Sequence, residues 1–410
     1  MILNYLWVGF FVVGFAVGLI RLIFFNDVET LPAMMQSTFT SAKTAFELAL
    51  GLTGVMTLWL GLMKIGEEGG MVPIVSRVVG PFFSRLFPEI PKNHPATGSI
   101  IMNFSANILG LDNAATPLGL KAMKELQEIN PNKDVASNAQ MMFLVLNASG
   151  LTIIPIAIMA DRATLGSVDP SAIFIPTLIA TFFSTFFGLL YMCVRQRINL
   201  FDPVLLGYIG LMIAIIGGVI YHFYGMEPAA IQRQSSLVTA VIILSAVVGF
   251  IILGLRKGIN IFETFIEGAK EGFSIAIKII PFLVGIFVAV GVFRTSGTLA
   301  FIEEGISWAV IAVGLNADFV PAIPVALLKP LSGGATRSMM MDVAKVHGID
   351  SFVGQLSSII RGCAETTLYL TALYFGSVSV KNTRYAVTGG LIADLAGVIA
   401  AIFVAYLFFH

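Results

Sequence analysis

Four groups of polar residues interrupt otherwise apolar stretches of this 410-residue sequence, and they bound the chemistry it could perform. The first is Asn103, Asn107, Asp112, Asn113 and Thr116. Ser99, Asn103 and Asn107 recur every fourth residue, so they share one helical face. Gly110-Leu111-Asp112-Asn113 then breaks the helix, and Ala114-Ala115-Thr116-Pro117 can restart it with Asp112 or Asn113 as N-cap. Two uses fit: a broken helix lining a polar cavity, or a capped turn at the membrane surface with Asn side chains joining helices. The second group is Lys329-Pro330-Leu331-Ser332-Gly333-Gly334-Ala335-Thr336-Arg337. A helix restarting near Gly333 aims free N–H groups at whatever fills the gap, and Lys329 and Arg337 add positive charge. That combination suits a carboxylate or phosphate. The alternative is a loop whose cations stay solvated.

The third group is Gln355, Ser357, Ser358, Arg361, Glu365, Thr366 and Thr367. Read as one helix, Ser358, Arg361 and Glu365 share a face, and Arg361 and Glu365 are spaced to pair. Ions at bilayer depth turn inward. Glu365 is then a candidate for proton or cation coupling or for substrate contact, against a purely structural ion pair. The fourth group, Gln140, Asn147, Ser149 and Thr152, is uncharged; helix–helix hydrogen bonding explains it as well as a site does. Asp394, a lone acid in the last helix, reads as the partner of an interior cation.

Several functions are excluded. The two cysteines, Cys193 and Cys363, have no pattern, and the four histidines do not pair at metal-ligand spacing. No phosphate-binding loop, H-E-x-x-H or G-x-S-x-G occurs. No His or Cys joins a nucleophile–base pair in the polar groups, so no enzyme and no cofactor are expected. With 24 acidic and 24 basic residues and no basic tract, nucleic acid is not an expected partner.

The elements that position these groups are membrane helices. Hydrophobic residues make up 57% of the chain and charged residues 12%, against about 25% charge in a soluble domain. A span needs roughly 20 mostly apolar residues. Clear candidates are 3–25, 46–65, 139–160, 171–194, 204–224, 237–255, 274–293, 352–378 and 385–409; weaker ones are 71–87, 97–118, 299–315 and 319–341. The first reads as an uncleaved membrane helix, since it has no basic leading region. Arg195 and Arg197, then Arg256 and Lys257, place the 195–200 and 256–270 loops inside, and tracing back puts Lys121, Lys124 and Lys133 inside too.

The two halves resemble each other. Ala42-Lys43-Thr44-Ala45-Phe46 matches Ala269-Lys270-Glu271-Gly272-Phe273, each taken as the opening of an apolar helix. Each half then reaches a Gly/Pro-interrupted segment with Ala-Thr, at 115–116 and 335–336, and then a helix with a polar cluster. Lys381 and Arg384 follow the second such helix, whereas 121–134 precedes the first. The expected fold is therefore all-α, a polytopic helical membrane protein whose two related halves form an inverted repeat with broken or re-entrant helices.

These motifs resemble spore maturation proteins A and B, relatives of the nucleoside-recognition or gate domain family. Asp112-Asn113-Ala114-Ala115-Thr116-Pro117-Leu118-Gly119-Leu120-Lys121-Ala122-Met123 is similar to the A signature. Lys329-Pro330-Leu331-Ser332-Gly333, Glu365-Thr366-Thr367-Leu368-Tyr369 and Tyr374-Phe375-Gly376-Ser377-Val378 are similar to B. The resemblance implies an A-like half at 1–200, linking helices at 201–258 and a B-like gate half at 259–410. It implies a transport or gating role in a bacterial cytoplasmic membrane, with no substrate attached. The expected function is a secondary transporter of a small polar or anionic solute. Its midplane site would face Asp112–Thr116 toward Ser332–Thr336. The expected site residues are Asn103, Asn107, Asp112, Asn113, Thr116, Asn147, Lys329, Ser332, Gly333, Gly334, Thr336, Arg337, Gln355, Ser358, Arg361, Glu365 and Thr366. Expected partners are the lipid bilayer, the solute and a coupling ion, with a homo-oligomer left open. The alternative is a non-transporting scaffold or a gate component of a larger complex.

Overall fold

The computed structural model describes residues 2–91, 94–109, 112–150 and 155–410, with side chains left undescribed at 112–114 and a few other helical positions. All regular structure within them is helical. The helices are α1 (Ile2–Phe25), α2 (Thr30–Gly69), α3 (Met71–Leu86), α4 (Pro95–Ile108), α5 (Asp112–Ile129), α6 (Asn138–Ala148), α7 (Ile156–Thr164) and α8 (Phe174–Gln196). Then come α9 (Pro203–Phe223), α10 (Pro228–Lys257), α11 (Ile261–Thr295), α12 (Thr298–Ala312) and α13 (Ile323–Leu328), the last preceded by a 3₁₀ turn. The chain ends with α14 (Gly333–His347), α15 (Phe352–Gly362), α16 (Thr367–Ser377) and α17 (Ala386–Phe409).

Element by element, α2 to α8 repeat as α11 to α17: a very long helix, a bent-off helix, a helix pair broken by a few residues, a second broken pair, and a long span. Among the described residues six helices are long and apolar enough to cross a membrane, and α11 with α12, bent by 71°, adds a seventh. Nine uninterrupted spans were expected. The difference lies mainly in 139–160 and 352–378, which are each two short helices rather than one: Ser149, Gly150, Cys363 and Ala364 sit where the backbone leaves the helix. The Ala-Lys motifs do not open helices either; both lie inside α2 and α11.

The repeat is inverted. Corresponding helices run antiparallel wherever they touch. On α2 and α11, a Cβ at Gly61 would meet Phe265, one at Gly272 would meet Met56, and one at Gly291 would meet Ser41. Glycine on both partners lets these backbones approach closely. At 40 and 35 residues, and about 1.5 Å rise each, both outreach a hydrocarbon core of about 30 Å. On α8 and α17, Tyr191 packs against Tyr385 and Gly188 against Ala393. The broken pair α15–α16 lies antiparallel along α17 from end to end. Phe352 stacks near Tyr406, Cys363 abuts Gly397, and Thr367 hydrogen-bonds Asp394. The pair therefore passes through, and does not return.

This arrangement sorts the loops. On one face lie 130–137, 197–202, 258–260 and 378–385, joined by Ala136 N–H donating to Asn382 O and by Lys381 and Asn382 N–H donating to Asp134 O. On the other lie 26–29, 165–173, 224–227, 313–319 and 348–351, where Val168 N–H donates to Asp350 and His410 contacts Asp318. The first set carries Lys133, Arg197, Lys381 and Arg384 beside Asp134 and Asp202; the second carries Asp27, Glu29, Asp169, Glu227, Asp318 and Asp350 and no Lys or Arg.

Candidate functional site

The pairs α6–α7 and α15–α16 cross where they are broken. α6 stops at Ala148 and α15 at Gly362. The Glu365 N–H, within the second break, donates to Ala148 O at 2.7 Å. Gly150 sits at φ 61°, and a Cβ there would lie 2.8 Å from Glu365 N. The halves thus meet backbone on backbone. A side chain at 150 would both strain the turn and separate them.

Two polar clusters flank the crossing. The ionic one joins α7, α14 and α15. Asp161 is fully buried and accepts from Arg337 Nε at 2.9 and 3.0 Å on its two oxygens, and from Arg337 Nη2. Arg361 Nε stands 3.6 Å from Asp161 Oδ2. The next residue, Arg162, is also fully buried and turns toward the acidic face. It donates to Ile349 O at 3.1 Å, Ser358 Oγ at 3.3 Å, Ser167 Oγ at 3.0 Å and Asp350 Oδ1 at 2.8 Å. Each charge belongs to one half and its partner to the other, so the clusters exist only once the halves dock. Buried carboxylates and guanidiniums cost several kcal/mol each unless so paired, roughly.

The neutral cluster joins α4, α6 and α16. Asn147 Oδ1 accepts from Asn107 Nδ2 at 2.8 Å and from Tyr374 OH at 3.3 Å. Asn103 Nδ2 donates to Ala115 O at 2.8 Å. The clusters occupy related places in the repeat. Ser137 and Ser351 both cap the helix that leads into a break, accepting from Gln140 and Gly354 N–H. Counting on from these caps sets Asn147 against Arg361. Setting Thr116 against Thr336 pairs Leu109 with Lys329 and Pro117 with Arg337. Three positions that are neutral in the first half are therefore cations in the second.

The other expected residues distribute as follows. Lys329, 3% exposed, donates from Nζ to Arg361 O at 2.7 Å and to Ala364 O, capping the carbonyl end of α15. Ser332 caps α14 by accepting from Ala335 N–H, Gly333 lies beside Thr366 Oγ1, and Gly334 O accepts from Ser338. Thr336 Oγ1 bonds Ser332 O. Gln355, Ser358 and Thr366 are buried. Thr116 and Glu365 are exposed on the chain surface. The side chains of Asp112 and Asn113 lie outside the described residues, as does Thr152.

One expectation is corrected. Arg361 and Glu365 do not pair as i, i+4, because α15 ends between them at Gly362 and Arg361 turns to Asp161 instead. The helices that carry the Ala-Thr segments each pack against the opposite half's second broken pair, Gly119 of α5 against Tyr374 of α16, and Arg337 of α14 against Asp161 of α7. Asp161, Arg162, Asp350 and Tyr374 were missed. The adjacent Asp-Arg after an apolar run reads as a helix exit into water, and only the shortness of α7 could have hinted otherwise.

Residues 49–162 match the family model for Gate, nucleoside recognition, a stretch from α2 to Arg162 that takes in Asn103, Asn107, Asn147 and Asp161. Two relatives come from Bacillus subtilis (strain 168). Spore maturation protein A is 42% identical over 181 residues, which is 44% of this chain and 89% of that protein. Spore maturation protein B is 44% identical over 163 residues, 40% of this chain and 90% of that protein. With both relatives covered almost from end to end, and with the multi-pass helical fold described above, the chain belongs to the family of spore maturation proteins A and B.

Proposed function

We propose that this chain is a secondary transporter of the bacterial cytoplasmic membrane that moves a small polar or anionic solute through the crossing of its two breaks. The ionic cluster carries this reading: Arg337 and Arg361 converge on Asp161, fully inside the fold, beside a point where two helices are interrupted. Interrupted helices at mid-depth expose backbone groups that need a partner, and inverted repeats place such breaks at a shared site. The three extra cations of the second half favour an anionic group on the solute. The basic loops support assigning their face to the cytoplasm. The A-like half is proposed as 1–200, the B-like half as 259–410, and 201–258 as the link.

The runner-up is a non-transporting scaffold or a gate component of a larger complex. It is favoured by the Arg162–Asp350 clasp, whose many hydrogen bonds suit a fixed strut as well as a gate. Reconstitution separates the two readings. The purified chain alone, in proteoliposomes, is offered labelled nucleosides, small carboxylates and phosphate esters. Uptake of one of them is expected, and Arg361→Gln should lower it by about tenfold, the size of one lost charged hydrogen bond. Arg361→Lys should restore part of it. No uptake across the panel, or uptake indifferent to Arg361→Gln, would favour the scaffold.

A further inference from the structure

Asp394 lies on α17 one turn from the crossing and is 4% exposed. Its cradle is made of small residues: Gly390 faces Thr367, Ala393 faces Gly188, and Gly397 faces Cys363 and Ser184. Thr367 Oγ1 donates to Asp394 Oδ2 at 2.7 Å. The other oxygen, Oδ1, is buried without a hydrogen-bond partner. The nearest cation, Lys329, spends its ammonium on the carbonyls of Arg361 and Ala364 and makes no ion pair with Asp394 among the described residues.

A carboxylate in this position is poorly solvated, for one neutral hydroxyl does not replace water around a full charge. A carboxylic acid is the better occupant. The ionisable groups around it are few. Lys329, Cys363 and Glu365 face it from the two breaks. α6 has no ionisable residue. Those of α8 are Tyr191, Cys193 and Arg195 in its last turns, and those of α10 are Arg233, Arg256 and Lys257 near its ends. The one on α15, Arg361, is engaged with Asp161, and α16 carries Tyr369 and Tyr374. Glu365, two residues before Thr367, is exposed.

We propose that Asp394 is the proton-carrying carboxyl of this protein, taking a proton from water by way of the break at Glu365 and releasing it when Lys329 swings from the α15 carbonyls to face it. The proposal rests on the transport reading for its use, but not for its test. One proton is gained and one lost at a single oxygen, and no other reactant is needed. It also assigns the coupling role to Asp394 rather than to Glu365.

Infrared spectroscopy of the purified full chain in lipid, titrated across neutrality, reads the carboxylic acid C=O stretch directly. A buried-acid band is expected in the parent chain, absent in Asp394→Asn and retained in Glu365→Gln. Thr367→Val removes the only donor to the charged form among the described residues, so the band should persist about one pH unit higher. That shift is invisible to a merely structural role. A band unchanged in Asp394→Asn, or no acid band in the parent chain at any pH short of denaturation, overturns the proposal. If the band behaves as expected while reconstituted chain moves no solute, the transport reading fails and the proton site stands. If solute moves and no band is found, the reverse holds.

Discussion

At the residue scale, the crossing depends on a glycine and on an acid. Gly150, at the first break, has a φ of 61° and a neighbour at 2.8 Å, and both exclude a side chain. Gly150→Ala should therefore cost about 1–2 kcal/mol for the left-handed backbone and roughly 1–3 kcal/mol more for overpacking. A detergent thermal melt should show a clear loss, whereas Gly54→Ala on α2, with nothing within 4 Å, should melt like the parent. Asp161→Asn leaves Arg337 without its counter-charge in a buried place, a loss of about 3–5 kcal/mol. Replacing the pair together, Asp161→Asn with Arg337→Gln, should recover much of it, because the penalty comes from the unpaired ion rather than from the missing bond. A double variant no more stable than the single would refute that account.

At the element scale, the short helices that enter the breaks need their caps. α6 and α15 have 11 residues each, too few to be stable alone. Ser137→Ala and Ser351→Ala should each cost about 1 kcal/mol, with similar size because the caps are related by the repeat. Equal shifts in denaturation midpoint would bear out the equivalence, and a null effect at either would count against it. The start of α2 has a different device. Asp27 accepts from Thr30 Oγ1 and from the N–H groups of Thr30 and Glu29. The Thr30 hydroxyl above all, with those N–H groups and Arg21, holds this half-buried carboxyl below its ordinary range. A depressed carboxyl stabilises the fold above its unfolded value, about pH 4, and loses that contribution as pH falls through the lower folded value. Amide exchange at Thr30–Ala33 should therefore quicken as pH, corrected for intrinsic rates, drops below about 4. Asp27→Asn should be fast throughout.

At the scale of the whole molecule, inversion makes a prediction about sidedness. Single cysteines at Lys133, Arg197 and Lys381 should all react with a membrane-impermeant maleimide from one side. Cysteines at Asp27, Glu227 and Asp318 should react from the other. The native Cys193 and Cys363 are buried and should stay silent. Mixed labelling within either set would break the inverted repeat. The same symmetry explains how one fold can be neutral at one crossing flank and ionic at the other: Asn147 with Tyr374, and Arg361 with Asp161, fill corresponding niches with different chemistry.

Much of this was legible in one dimension. Lipid-facing helices follow from apolar content alone, since a bilayer accepts little else. The break at 329–332 follows from Pro330, which removes a backbone donor and disfavours helix at the residue before it, and the twofold pattern from Ala-Thr and Ala-Lys motifs. The breaks inside 139–160 and 352–378 did not follow, because Ser149, Cys363 and Ala364 are tolerated in helices and their interruption is imposed by the partner backbone crossing there. Pairing was equally hidden. Asp161 and Arg337 are 176 positions apart, and which acid meets which cation is set by how two inverted halves dock. Local spacing constrains neighbours along one helix, but buried ions choose partners across helices, where three-dimensional proximity alone decides who can neutralise whom.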